Sequence, residues 1–166
     1  MSNPCLACTV EQSCCRELNG LKLNDKEFRR HFAGKSDRLK ISRKGKLYVI
    51  YSQGSQPCPN WDQKCQVYET RPIDCDLYPY TIGSVFEGKG EVYATYHSRT
   101  ECPLSDIIIS SREKAESLIH RFLKDTYGED CRTTVRYDEG AARVYHLARR
   151  AASRAKRALA DSLGPD

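Results

Sequence analysis

Hydrophobic and polar positions alternate along several short stretches of this chain and recur at helical spacing in others. From Asp25 to Phe32 the pattern reads as a short helix, with Asn24 as its N-cap and Gly34 as its stop. Lys46 to Tyr51 alternates and is rich in aromatic and β-branched side chains, which reads as a strand. Tyr80–Phe86 and Glu91–His97 read as two more strands, joined by the turn-forming Gly88-Lys89-Gly90. These three strands are expected to form one small antiparallel sheet. Between them, Pro57, Pro59, Pro72 and Pro79 forbid a long helix or a central strand. That stretch is left with turns and one helical turn around Gln66–Glu69.

The remainder reads mostly as helix. Ser110-Ser111-Arg112-Glu113 has the form of a capping box. Behind it Ala115, Leu118, Ile119, Phe122 and Leu123 line one helical face that ends near Gly128. A final helix is expected from beyond Asp138 to about Ser162. The fold class is therefore α+β: a small, irregular, metal-organised core with short antiparallel strands, followed by C-terminal helices. Residues 1–105 read as a cysteine-cluster domain and residues 106–166 as a helical region packed on it or extending from it.

Composition changes this picture through cysteine. With 166 residues the chain can bury a core without covalent staples, although 39% hydrophobic and 30% charged residues keep that core modest. It carries nine cysteines. The N-terminus lacks the basic start and apolar stretch of a signal peptide, and the longest strongly apolar run, Ile107-Ile108-Ile109, is far short of a membrane span. A cytoplasmic location is the expectation, and there thiols stay reduced. Cysteines in that setting point to metal or redox chemistry.

Their spacing agrees. Cys5-x-x-Cys8 is the short bite in which a turn lets two thiolates meet one ion. The adjacent Cys14 and Cys15 diverge, which suits bridging between different metals and hence a polynuclear centre or two sites. Cys58-Pro59 and Cys102-Pro103 repeat a cysteine–proline pairing found in ferredoxin motifs. Pro72 forces a turn between Cys65 and Cys75 that can bring both thiols together. Cys131 lies outside these groups in an expected strand and reads as a packing thiol.

The run Cys5-x-x-Cys8-x5-Cys14-Cys15, followed by Cys65-x-x-Tyr68-Glu69-x-Arg71-Pro72-x-x-Cys75-x-x-Tyr78-Pro79, resembles the YkgJ-like cysteine-cluster proteins, described as zinc- or iron-chelating domains. The resemblance covers residues 5 to about 103 and implies metal binding at Cys5, Cys8, Cys14, Cys15, Cys58, Cys65, Cys75 and Cys102. Bacterial flagellin lysine methylases carry a similar cluster but are much longer. An all-thiolate set selects zinc, iron–sulfur or copper(I) over calcium and magnesium. Iron–sulfur clusters or zinc ions are the expected cofactors, with the paired and proline-flanked cysteines tilting toward iron–sulfur.

Other residues add secondary candidates. Arg71 can offset thiolate charge and Tyr78 can pack beside it, while Glu69 and Asp74 read as solvated turn residues. His97 reads as a strand-end histidine. The last helix carries Arg143, Arg149, Arg150, Arg154, Lys156 and Arg157 with no acidic residue between Gly140 and Ala160. Arg149, Arg150 and Arg154 are candidate contacts for RNA or an acidic protein, against a solvated helix docked through its alanines.

Three functions follow from this reading. The first is a metal-binding protein with a structural, electron-transfer or metal-handling role. The others are a metal-dependent enzyme modifying a protein or small molecule, and an interaction module using the basic helix.

Overall fold

The computed structural model describes residues 16–54, 56–98 and 111–144. It is α+β, with two three-stranded sheets rather than the single sheet expected from the sequence. The first comprises β1 (Asn19–Leu23), β2 (Leu39–Lys44) and β3 (Leu47–Ser52), all antiparallel in the order β1-β3-β2. The strand expected at Lys46–Tyr51 is β3, and both its edges are already taken. Leu21 pairs Ile50 on one side and Ile41 pairs Ile50 on the other. β3 therefore has no edge left for the later strands.

Between β1 and β2 runs α1 (Asp25–His31). Asn24 caps it as expected, accepting the Glu27 N–H at 2.9 Å while the Glu27 carboxylate takes the Asn24 N–H at 3.2 Å. The helix ends at Phe32 rather than at Gly34, because the chain tightens there into a 3-10 segment, Ala33–Arg38. Phe28 stacks on Tyr48 with ring centroids 4.1 Å apart. Phe32, Leu21, Leu23, Leu39 and Ile50 close an apolar core over this sheet.

After a two-residue-strand hairpin, β4 (Trp61–Asp62) and β5 (Lys64–Cys65), a 3-10 turn at Tyr68–Thr70 stands close to the helical turn expected at Gln66–Glu69. One turn of helix follows, α2 (Ile73–Asp76).

The second sheet comprises β6 (Tyr80–Glu87), β7 (Glu91–Ser98) and β8 (Arg132–Tyr137) in that order. β6 and β7 form the expected hairpin, while β8 pairs parallel to β7. β8 is the strand expected around Cys131, within a region otherwise expected to be helical. Its alternation of Thr133, Val135 and Tyr137 with Arg132, Thr134 and Arg136 explains why it extends. Cys131 lies one residue before the strand, not within it.

Between β7 and β8 in sequence stands α3 (Arg112–Tyr127). Its N-cap is Ser111, whose hydroxyl accepts the Lys114 N–H at 3.2 Å, so the cap sits one residue later than the expected box. Gly128, at φ 114°, stops it where expected. Ala115, Ile119, Phe122 and Leu123 pack against Leu77 and against Ile82, Val92, Ala94 and Tyr96 on the inner face of the second sheet. A further helix, 139–144, begins where the last helix was expected, with the Asp138 carboxylate accepting the Ala141 N–H at 2.9 Å.

The β6–β7 register shifts between Ile82 and Val85, and Gly83 lies inside that irregularity. A Cβ at Gly83 would stand 2.6 Å from Thr95 Oγ1 and 3.2 Å from the Thr95 carbonyl oxygen. Thr95 Oγ1 is itself held as acceptor for the Ser84 N–H at 3.0 Å. Gly83→Ala is therefore expected to destabilise the chain by about 1–3 kcal/mol, read from urea unfolding. An unchanged midpoint would show that the strands separate here at no cost.

Candidate metal centre

The segment from Cys58 to Pro79 lies against the first core and is fixed by backbone hydrogen bonds at both ends. The Cys58 N–H bonds the Arg16 carbonyl at 2.7 Å, and the Trp61 N–H returns to the Cys58 carbonyl at 2.8 Å. This turn presents Cys58, which is buried, to Leu18, Leu21 and Leu23. The β4–β5 hairpin then folds Cys65 back opposite Trp61, reversing at Gln63 with φ 56°. Asn60 holds the loop from within: it is 2% exposed, donates to the His31 carbonyl at 3.2 Å, accepts from Lys35 Nζ, and its own carbonyl takes the Gln66 N–H at 2.9 Å. Sequence reading had not singled out Asn60. Its position in Cys58-Pro59-Asn60 marks a turn, but only the fold reveals its partners.

Cys75 enters from α2. Pro72 is fully buried and precedes this helix, where its missing N–H costs nothing. The free amide at the start of α2, Ile73 N–H, is taken by Glu27 Oε1 at 2.8 Å. The same carboxylate thus caps α1 and α2. Burial raises the Glu27 pKa, against the two backbone N–H groups that favour its charge.

Asp74 is the second anchor, and here the sequence expectation is overturned: it is no solvated turn residue. It is 4% exposed. Its carboxylate accepts the Lys22 N–H from β1 at 2.9 Å, the Ile82 N–H from β6 at 2.9 Å and the Thr81 hydroxyl at 3.2 Å. α2 is therefore pinned to both sheets through the residue beside Cys75. Glu69, by contrast, is exposed as expected.

The thiols of Cys58, Cys65 and Cys75 are near enough to act on one another. Burial pushes the Cys75 thiol well above the ordinary thiol range, and Asp74, Cys58 and Cys65 push it further, while Arg71 opposes them. Cys58 is pushed up to about 11, first by burial and also by Cys65, with Lys35 and Arg38 opposing. Cys58 and Cys75 thus resist ionisation, with opposing positive charge from Lys35 and Arg38 at Cys58 and from Arg71 at Cys75. Lys35 and Arg38, from the 3-10 segment, were missed by sequence reading because nothing in the sequence places them beside Cys58.

Arg71 precedes the buried Pro72 at the start of α2. Its guanidinium stacks over the Tyr68 ring at 3.9 Å, and its Nε donates to Asp76 at 2.6 Å. Burial disfavours its charge, but Asp76 and Tyr68 more than offset this. Tyr78 follows Cys75 in the turn, its N–H reaching the Cys75 carbonyl at 3.4 Å, before a cis peptide to Pro79.

Cys131 belongs elsewhere. It is half-buried and packs against the second core, with its Sγ 3.6 Å from the Arg132 carbonyl oxygen. His97 is the penultimate residue of β7, a strand-end histidine as expected.

Among the described residues no group of three or more histidine, cysteine, aspartate or glutamate side chains is arranged to hold a metal ion by itself. Cys5, Cys8, Cys14, Cys15 and Cys102 lie outside the described residues, as do Arg149, Arg150 and Arg154. Among the described residues no helix is long and apolar enough to cross a membrane. No family model, curated protein or solved structure matches this chain.

Proposed function

We propose that this chain is a cytoplasmic metal-binding protein whose cysteines hold a polynuclear thiolate centre, iron–sulfur in preference to zinc. Its ligands are Cys5, Cys8, Cys14, Cys15, Cys58, Cys65, Cys75 and Cys102, the positions that the YkgJ-like resemblance implies. The observation that carries the reading is that Cys58 and Cys75, from separate turns, face the first core, and that Cys65 lies near enough to both to raise their pKa values. Protons on crowded thiols are readily exchanged for a soft cation, which removes the mutual repulsion that ionisation would otherwise create. The Arg16–Cys58 hydrogen bond also supports it, because Cys14 and Cys15 directly precede Arg16 in the chain.

The protein's own contribution is to hold these thiols at fixed positions and to temper their charge. Glu27 and Asp74 fix α2 and hence Cys75; Asn60 fixes the loop that carries Cys58 and Cys65. Lys35, Arg38 and Arg71 offset the negative charge that thiolates bring. An iron–sulfur centre would supply one-electron transfer, whereas zinc would supply a redox-inert brace.

Anaerobic purification followed by metal and sulfide analysis tests the proposal directly. Iron with acid-labile sulfide and a visible spectrum is the expected result. A colourless protein with stoichiometric zinc rejects iron–sulfur, and a chain that neither retains nor takes up metal rejects the centre, leaving Cys58 and Cys75 as packing thiols. The pH dependence is a further check. Cys58 and Cys75 hold their protons at neutral pH in the metal-free chain, so metal entry must expel both. Ordinary thiols are protonated there as well, so the logarithm of apparent metal affinity is expected to rise by at least about two per pH unit between pH 6.5 and 7.5, measured by chelator competition. A flat profile would contradict the assignment.

A further inference from the structure

The second sheet has two unlike faces. Val92, Ala94 and Tyr96 of β7 point at α3, so Tyr93 and Thr95 lie on the opposite side. Phe86 on β6 shares that side. It pairs with Tyr93, is 60% exposed, and holds its ring 6.2 Å from the Tyr93 ring. On the next strand Thr134 lies beside Tyr93 and Arg136 beside Thr95, with Arg132 beyond. The result is an aromatic pair set next to two arginines, Arg132 and Arg136, with Glu91 beside Arg132, on the sheet face opposite α3.

A groove of about 680 Å³ continues this face. Tyr93, Thr95 and Arg136 line it from this face, and Arg112 and Tyr137 line it from the α3 side of the sheet, the Arg112 guanidinium lying 3.9 Å above the Tyr137 ring. Asp138 and Glu139 also line it. The Asp138 carboxylate is engaged in capping the helix 139–144 through Ala141. Among the described residues neither Arg132 nor Arg136 makes an ion pair. The chain as a whole carries a net charge of +5.

We infer that this face and groove bind single-stranded nucleic acid, with bases stacking on Phe86 and Tyr93 and phosphates meeting Arg136, Arg132 and Arg112. Stacking tolerates any base, because each presents a π face, so recognition is of an unpaired strand rather than of a sequence. An exposed Phe86 beside a half-buried Tyr93, with arginines on β8, supplies the two parts such binding needs, a stacking platform and phosphate neutralisation. A duplex has no unpaired bases to lay on Phe86. The site lies on the second sheet and does not depend on the cysteines of the first, so it stands or falls independently of the metal centre.

The test uses the full chain as purified and labelled twelve-residue oligouridylate, oligothymidylate and a duplex of equal length, followed by fluorescence anisotropy at several salt concentrations. Both single strands are expected to bind and the duplex to bind weakly. Phe86→Ala is expected to weaken single-strand binding about tenfold, whereas Phe86→Tyr, which keeps a ring, retains it. Because Phe86 is largely exposed, its replacement is compatible with folding, which circular dichroism would verify. Arg136→Ala is expected to weaken both single strands and to lower the salt slope by about 0.7. Absence of single-strand binding would overturn the inference, as would equal affinity for duplex. Binding that survives Phe86→Ala unchanged and vanishes when Arg149, Arg150 and Arg154 are replaced would also overturn it.

Discussion

Cys75→Ala is expected to lower metal affinity by more than about 100-fold and to reduce thermal stability, while Cys131→Ala leaves metal content and stability nearly unchanged. The lower bound follows from partners outside the ligand set, whose loss alone costs about 10–100-fold. The contrast follows from where the two thiols sit. Cys75 is enclosed beside Cys58 and Cys65 and feels both. Cys131 packs against α3 and β8 in the other core. Cys14→Ala is expected to behave like Cys75→Ala if the N-terminal cysteines share the centre. Metal analysis and thermal unfolding of the three variants decide it, and equal effects at all three would abolish the distinction between ligand and packing thiols.

The metal-free chain adds a control with the opposite dependence on pH. A thiol whose pKa is raised by folding stabilises the fold while it stays protonated. For Cys58 that contribution is complete below the ordinary thiol range and is lost as pH rises toward about 11. Loading with metal removes those protons and with them this alkaline sensitivity. Thus the same two thiols make metal-free protein weaker in alkali and make metal binding stronger as pH rises.

Much of the local structure was legible because it rests on local rules. The Asn24–Glu27 capping box, the Ala115–Leu123 apolar face and the Gly128 stop each depend on residues a few positions apart. The hairpin around Gly88–Gly90 is of the same kind. Pairing between distant strands was not legible in this way. Asn19–Leu23 carries a glycine and a lysine, so β1 offers little alternation to read. Its identity as a strand comes from the edge of β3 and from Asp74, which takes its Lys22 amide. β8 does alternate, but a strand parallel to β7 requires the whole of α3 as a crossover before its partner becomes apparent.

The candidate site divides along the same line. Cysteine spacing and Arg71 beside Cys75 could be read from the chain, since both lie within one motif. Lys35, Arg38, Asn60 and Glu27 could not, because each reaches the motif from another part of the fold. Glu27 is the clearest case. It is recognisable as a helix cap, but its bond to Ile73 joins residues forty-six positions apart. A single carboxylate satisfying the starts of two helices has no signature in either segment alone.

Asp74 carries the second large expected effect. Asp74→Ala would leave the Lys22 amide, the Ile82 amide and the Thr81 hydroxyl without their acceptor at a site that is 4% exposed. Unsatisfied buried groups cost about 1–3 kcal/mol each, so a loss of about 3–5 kcal/mol is expected even with partial relaxation. For a chain of this size that corresponds to a fall in Tm of about 6–20 °C. Glu69→Ala, five residues earlier on an exposed 3-10 turn, should change stability by less than about 0.5 kcal/mol. The metal reading adds a further consequence. Asp74 ties Cys75 to both sheets, so Asp74→Asn, which keeps an acceptor oxygen but loses the charge, is expected to retain a fold of reduced stability and to bind metal more weakly. Thermal unfolding together with metal titration would separate the two effects. If Asp74→Asn lost stability but held metal with unchanged affinity, the carboxylate would serve the joint between the sheets alone, and the position of Cys75 would have to be secured by Glu27 and Pro72.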